Sequence, residues 1–164
     1  MMDNILIGLK DPATTAELKG VFGLPNITYD NDFAQAVAVG LDDWQGKNWD
    51  PAVNDPSFDL WCGNITASAV IWSDTDSLKP TVQDLLKKGG YASEVDELTT
   101  PFLNWIGWLY QYSVESCVGG SQDACFGTHN ATFYEQDDIT QSWRSWPYQV
   151  SHFAQQFLPP TNHS

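Results

Sequence analysis

Nucleophilic catalysis needs a serine or cysteine, a base and an orienting acid, and the sequence sets few candidates in a suitable context. Gly119-Gly120-Ser121-Gln122-Asp123 comes nearest to a nucleophile elbow, but Asp123 stands where the second glycine belongs and no apolar strand precedes it. His129, His152 and His163 are scattered, with no arrangement that pairs one with a nucleophile and an acid. The doublets Asp42-Asp43 and Asp137-Asp138 have the residue type of a glycosidase couple, yet with 21 acidic residues such doublets arise readily and read as solvated faces. Gly89-Gly90 follows Lys87-Lys88 instead of preceding Lys-Ser/Thr, so it is no phosphate loop. No Cys-x-x-Cys and no His pair at ligand spacing suggests a metal. These patterns assign no catalytic residue, no metal ligand and no cofactor.

Other residues carry chemistry of a different kind. Asn26, Asn64, Asn130 and Asn162 each open an Asn-x-Ser/Thr acceptor for glycosylation. This composition leads to about one such triplet by chance, so four favour passage through the secretory pathway. Cys117 and Cys125 bracket a short glycine-containing loop that a disulfide could close, worth ~2–3 kcal/mol in the chain-entropy treatment. Cys62 is then left over, which points to a missing partner or an exposed thiol. Ser142 to Gln149 is dense in aromatic and polar groups without helical period; Trp143, Trp146 and Gln149 could line a cleft or could simply pack.

The elements that must position these residues are helical. Asp11-Pro12 opens a first helix through Thr14 to Phe22, ended by Gly23 and Pro25. Asp30-Asn31-Asp32 caps a second, with Phe33, Val37 and Leu41 at spacings of four. After a Trp-containing loop from Trp44 to Asn54, Asp55-Pro56 starts a third, whose Phe58, Trp61, Cys62, Ile65 and Ala69 form an apolar stripe. Pro80 sits in the first turn of a short helix that runs to Lys88 and stops at Gly89-Gly90. The longest helix is expected from Pro101 to about Glu115, with Phe102, Trp105, Ile106, Leu109 and Tyr112 facing inward and Trp108 broadening that face. Spacing places Trp61, Trp105 and Trp108 in the core. A last helical stretch is expected over Asp138 to about Trp146, and strand signals are weak throughout.

Composition limits the function classes. The chain has 164 residues, 8 of them Trp, and a formal charge of −14. That acid excess opposes a phosphate backbone, so nucleic acid is not a partner. The longest apolar stretch, Phe102 to Tyr112, is interrupted by Asn104, Gly107 and Gln111 and is too short to span a bilayer. The first ten residues lack the positive region, apolar core and cleavage site of a signal peptide, so the export signs in the rest of the chain suggest a missing beginning.

Trp143-x-x-Trp146-Pro147-Tyr148-Gln149 resembles a segment of the serine peptidase family that contains prolyl carboxypeptidase, dipeptidyl peptidase II and fungal prolyl endopeptidases. The resemblance is collinear over most of the chain. Leu18-Lys19 with Phe22-Gly23-Leu24 comes first, then Asp30-Asn31-Asp32-Phe33-Ala34 and Leu60-Trp61-Cys62. Leu103-Asn104-Trp105, Cys117, Ala124-Cys125-Phe126, Asn130-Ala131-Thr132 and Tyr134 follow in family order.

The resemblance implies a mainly α fold, the helical cap (lid) subdomain of an α/β-hydrolase, spanning residues 11–150. In that family the cap is inserted between the nucleophile and the rest of the Ser-Asp-His triad and shapes the cleft for peptides, often cut after proline. Implied partners are the hydrolase domain and a peptide substrate, in an extracellular or vacuolar/lysosomal enzyme that needs no cofactor. The family's Gly-Gly-Ser-Tyr-x-Gly nucleophile, downstream Asp and final His have no counterparts, so this chain alone is expected to be inactive. Ser151 stands where the family places a cysteine, which would account for an unpartnered Cys62. Residues 1–10 and 151–164 read as atypical ends, from a truncated or mis-spliced product. A different reading is a self-standing secreted Trp-rich module for glycans or peptides.

Overall fold

Helix α1 (Pro12–Val21) forms where the sequence places its start signals: Asp11 is the N-cap, its carboxylate accepting from the Thr14 N–H at 2.9 Å and the Thr14 hydroxyl at 2.6 Å, and Pro12 fills the first turn. Those bonds hold the Asp11 carboxyl below its usual pKa. The helix closes with Gly23 at φ 72°, the Gly23 N–H on Gly20 O and the Leu24 N–H on Lys19 O, the paired bonds of a Schellman motif. The computed structural model describes residues 11–135, within which the chain divides between His129 and Asn130 into two compact units.

In the first unit α2 (Asp30–Asp42) begins at Asp30, but its N-cap is Tyr29 and no side chain caps it. Asp30 and Asp32 lie in the first turn, favoured there by the helix dipole, and Asp30 pairs with Lys19 at 2.8 Å. Phe33 and Val37 are buried as expected; Leu41, the residue before the last of the helix, is exposed. A 3₁₀ turn (Asp43–Gly46) and a loop lead to α3 (Ser57–Ile65). Asp55 does start it, accepting from the Ser57 N–H at 2.9 Å. The expected stripe is cut short: α3 ends at Ile65, leaving Ala69 outside the helix and exposed.

A second 3₁₀ turn (Ser73–Leu78) runs into α4 (Lys79–Lys88), with Pro80 in the first turn and Gly90 at φ 91° just past the end. The longest helix, α5, spans Val95–Leu109, starting six residues before Pro101. Pro101 removes one donor without ending the helix, because Val95, Thr99 and Phe102 continue one buried face across it. The Thr99 hydroxyl bonds back to Val95 O at 2.6 Å. Beyond Leu109 the backbone widens into a π-helical turn (Tyr110–Val114), closed by the Glu115 N–H on Tyr110 O. The wider turn takes Tyr112 off the inward face, and it is 60% exposed.

Helix α5 is the axis of this unit, packed by α3, α4 and the second 3₁₀ turn. From Phe102 to Gly107 every residue is buried, so the helix is enclosed all round, unlike a one-sided surface helix. Phe22, Phe33, Phe102 and Trp105 meet at ring separations of 5.2–6.0 Å, and the Trp105 indole donates to Val37 O at 3.0 Å. Asn104, fully buried, accepts from the Ile71 N–H at 2.8 Å and donates to Ala69 O at 3.1 Å. It supplies the bonds that the extended segment between α3 and the 3₁₀ turn cannot make itself. The short helix α6 (Gln122–Phe126) follows. The second unit is described for α7 (Ala131–Tyr134) and its flanks, where the Tyr134 N–H bonds Asn130 O and the Glu135 N–H bonds Ala131 O. The fold is mainly α, with no strand among the described residues.

Candidate functional site

Trp143, Trp146 and Gln149, the residues expected to line a cleft, lie outside the described residues, as do the helical stretch expected from Asp138, Ser151, His152 and the Asn162 acceptor. The other three acceptors are placed: Asn26 and Asn130 are exposed, and Asn64 is half-buried within α3.

Ser121 is no nucleophile elbow. It is the N-cap of α6, its hydroxyl accepting from the Ala124 N–H at 3.1 Å, which is a structural use of the side chain. Cys117 and Cys125 form a disulfide with Cα atoms 5.9 Å apart, as their spacing allowed. The bridge holds α6 so that two of its side chains reach the α1–α2 connection. Gln122 donates to Gly23 O and accepts from the Asn26 N–H, both at 2.8 Å. Asp123 accepts from the Thr28 N–H at 2.7 Å and from the Thr28 hydroxyl. These Thr28 donors, the hydroxyl foremost, hold the Asp123 carboxyl below its usual pKa. From beneath the same loop, the nearly buried Lys19 ammonium donates to Ile27 O at 3.0 Å.

His129 stacks on Tyr29 with ring centroids 3.6 Å apart, and its Nε2 lies 3.7 Å from Oδ2 of the fully buried Asp32. Thr128 donates its hydroxyl to the other Asp32 oxygen at 2.6 Å. Among the described residues this corner brings together an acid, an imidazole and the Thr128 hydroxyl, with no serine or cysteine bonded to them. Cys62 carries no disulfide and is half-buried; burial, and then the Asp59 carboxylate, push its thiol pKa up, the reverse of what a reactive thiolate needs. The pKa of Asp43, on the first 3₁₀ turn, is raised by burial and then by the nearby Asp55 and Asp42 carboxylates. No group of three or more metal-ligating side chains occurs among the described residues, and no helix there is long and apolar enough to cross a membrane.

Two surfaces are shaped for contact. The loop after α2 is pinned by its own side chains: the Asn48 N–H on Asn54 Oδ1, the Asp50 N–H on Asn48 Oδ1 and the Ala52 N–H on Asp50 Oδ1. It holds Trp49 fully in solvent and Trp44 60% exposed, around a hollow of about 370 Å³ with Lys47 at its wall. Lys47 lies 5.9 Å from the Trp44 ring and 5.8 Å from that of Phe58, and is paired with Asp59. The other surface is a groove of about 380 Å³ between the end of α1, the second 3₁₀ turn and the π turn. It escaped sequence reasoning because its walls come from three distant segments; the one local signal was Gly107, a glycine inside an apolar helix.

Compared with known proteins, the chain is 40% identical over 151 residues to a protein of Arthroderma benhamiae described as a "Probable extracellular serine carboxypeptidase". The aligned stretch takes in 91% of this chain and 21% of that protein, so the chain spans about a fifth of the relative's length. No family profile matches the chain, and no solved structure does.

Proposed function

We propose that this chain is the helical cap of a secreted serine-type peptidase, a part that shapes the substrate cleft and holds no catalytic triad. The observation that carries the reading is the 40% identity sustained over 91% of the chain to a protein bearing the name of a serine carboxypeptidase. The fold supports it: the described residues form helices and no strand of the kind a hydrolase nucleophile sits on, Ser121 is spent on a helix cap, and His129 lies beside Asp32 and Thr128. In this reading the partners are an α/β-hydrolase domain and a peptide substrate, with cleavage at proline the expected specificity. Trp143, Trp146 and Gln149 would face the cleft. The parent would act outside the cell or in a vacuolar or lysosomal compartment, which suits both the disulfide and the exposed Asn26 and Asn130 acceptors.

The test is a peptidase assay of the purified chain on a proline-containing chromogenic peptide. No turnover is expected; turnover abolished by a serine-directed inhibitor would sink the assignment of the chain as a triad-free cap.

A second reading, a self-standing module for glycans or peptides, draws on the exposed Trp44 and Trp49. It requires saturable glycan or peptide binding by the isolated chain that Trp49→Ala removes, whereas a cap predicts that this substitution changes no such binding.

A further inference from the structure

The groove beside the π turn is built around two aromatic rings, each seated on a glycine. Tyr110 lies over Gly23, where a Cβ would come within 3.1 Å of its ring, and Trp72 lies over Gly107, where a Cβ would come within 2.7 Å. Gly23 also holds φ 72°, so backbone conformation and space both select glycine there. The π turn begins at Tyr110 and is closed by the Glu115 N–H, so an irregularity of the kind that often accompanies functional sites forms one wall. The rim bears two carboxylates, Asp74 and Glu115, and among the described residues no Lys, Arg or His lines the hollow. Gln111 donates to one Glu115 oxygen at 2.9 Å.

We propose that this groove binds the arginine side chain of a peptide segment, with the guanidinium against the Trp72 and Tyr110 rings and paired to Asp74 and Glu115. Aromatic faces attract cations, and a planar guanidinium stacks on a ring while giving its edge donors to carboxylates, which a lysine ammonium does less well. A peptide's terminal carboxylate is disfavoured, since it would meet the Asp74 and Glu115 charges. A volume of about 380 Å³ falls in the range of small-ligand sites and suits one long side chain with its flanking backbone. The assignment does not rest on the peptidase reading, because all its parts lie in this chain.

The test is calorimetric titration of the 164-residue chain at low ionic strength with acetyl-Ala-Arg-Ala-amide and its citrulline counterpart, which keeps the shape and loses the charge. Saturable binding of the arginine peptide is expected, about tenfold or more tighter than that of the citrulline peptide. The exposed pair Asp74→Asn with Glu115→Gln should lower arginine-peptide affinity by about tenfold with the melting temperature unchanged. Gly107→Ala should lower affinity by displacing Trp72, with the melting curve as its folding control. Equal binding of the two peptides, no saturable heat, or unchanged affinity in the carboxamide double variant would each overturn the proposal.

Discussion

Trp105 and Trp49 are the same residue put to opposite uses. Trp105 is 2% exposed, packed against the rings of Phe22 and Phe102, its indole N–H bonded to Val37 O. Trp49 stands in water on a loop whose shape is fixed by Asn48, Asp50 and Asn54. The difference teaches that a surplus of tryptophan is no measure of core. What sorts the rings is the backbone period that carries them, and a ring held outward by a pinned loop is surface kept for contact.

The largest expected effect breaks or sustains that contrast. Trp105→Ala should cost ~3–5 kcal/mol by urea unfolding, from lost burial and the cavity left behind. Trp49→Ala should fall within about 0.5 kcal/mol of the parent. Equal costs would erase the distinction between the two regions. Next, Asn104→Leu should cost about 2–3 kcal/mol, because it strands the Ile71 N–H and Ala69 C=O beside the buried helix. The paired substitution Cys117→Ser with Cys125→Ser should cost ~2–3 kcal/mol and raise hydrogen exchange at Asn26 and Thr28, since Gln122 and Asp123 of α6 accept from those two amides.

The smallest effect is a pH dependence. The folded-state pKa of Asp123 lies below its ordinary 3.8, so its contribution is fully present above that value. It is lost as pH falls from about 3.8 through the lower folded value, because only the carboxylate accepts both Thr28 bonds. Thr28 amide exchange followed between pH 5 and 2 should rise over that window in the parent and show no such step in Asp123→Asn.

Much of the fold was legible because start and stop signals are local. Asp11-Pro12 and Gly23 bound α1, and Pro80 and Gly90 mark α4, through chemistry that needs no tertiary context. The start of α5 was misjudged for the same reason: Pro101 reads as a beginning, and burial of Val95 and Thr99 overrides it. Leu41, Ala69 and Tyr112 kept the apolar spacing but fall beyond the regular buried run, at a helix end, past one, and on a π turn. The groove was not legible, since Gly23, Trp72 and Tyr110 become neighbours only through packing around α5. The disulfide was, since its spacing is local.

The central claim, that this chain is the cap of a larger peptidase, is tested most directly by exchange. In the Arthroderma benhamiae relative, the aligned stretch would be replaced by this chain, with a deletion of the same stretch as control, and release of the C-terminal residue from a peptide that the unaltered relative cleaves measured with and without a serine-directed inhibitor. Inhibitor-sensitive activity in the exchanged enzyme and its loss in the deletion is the predicted result. A secreted, cooperatively folded exchange protein without activity, or a deletion as active as the parent, would contradict it.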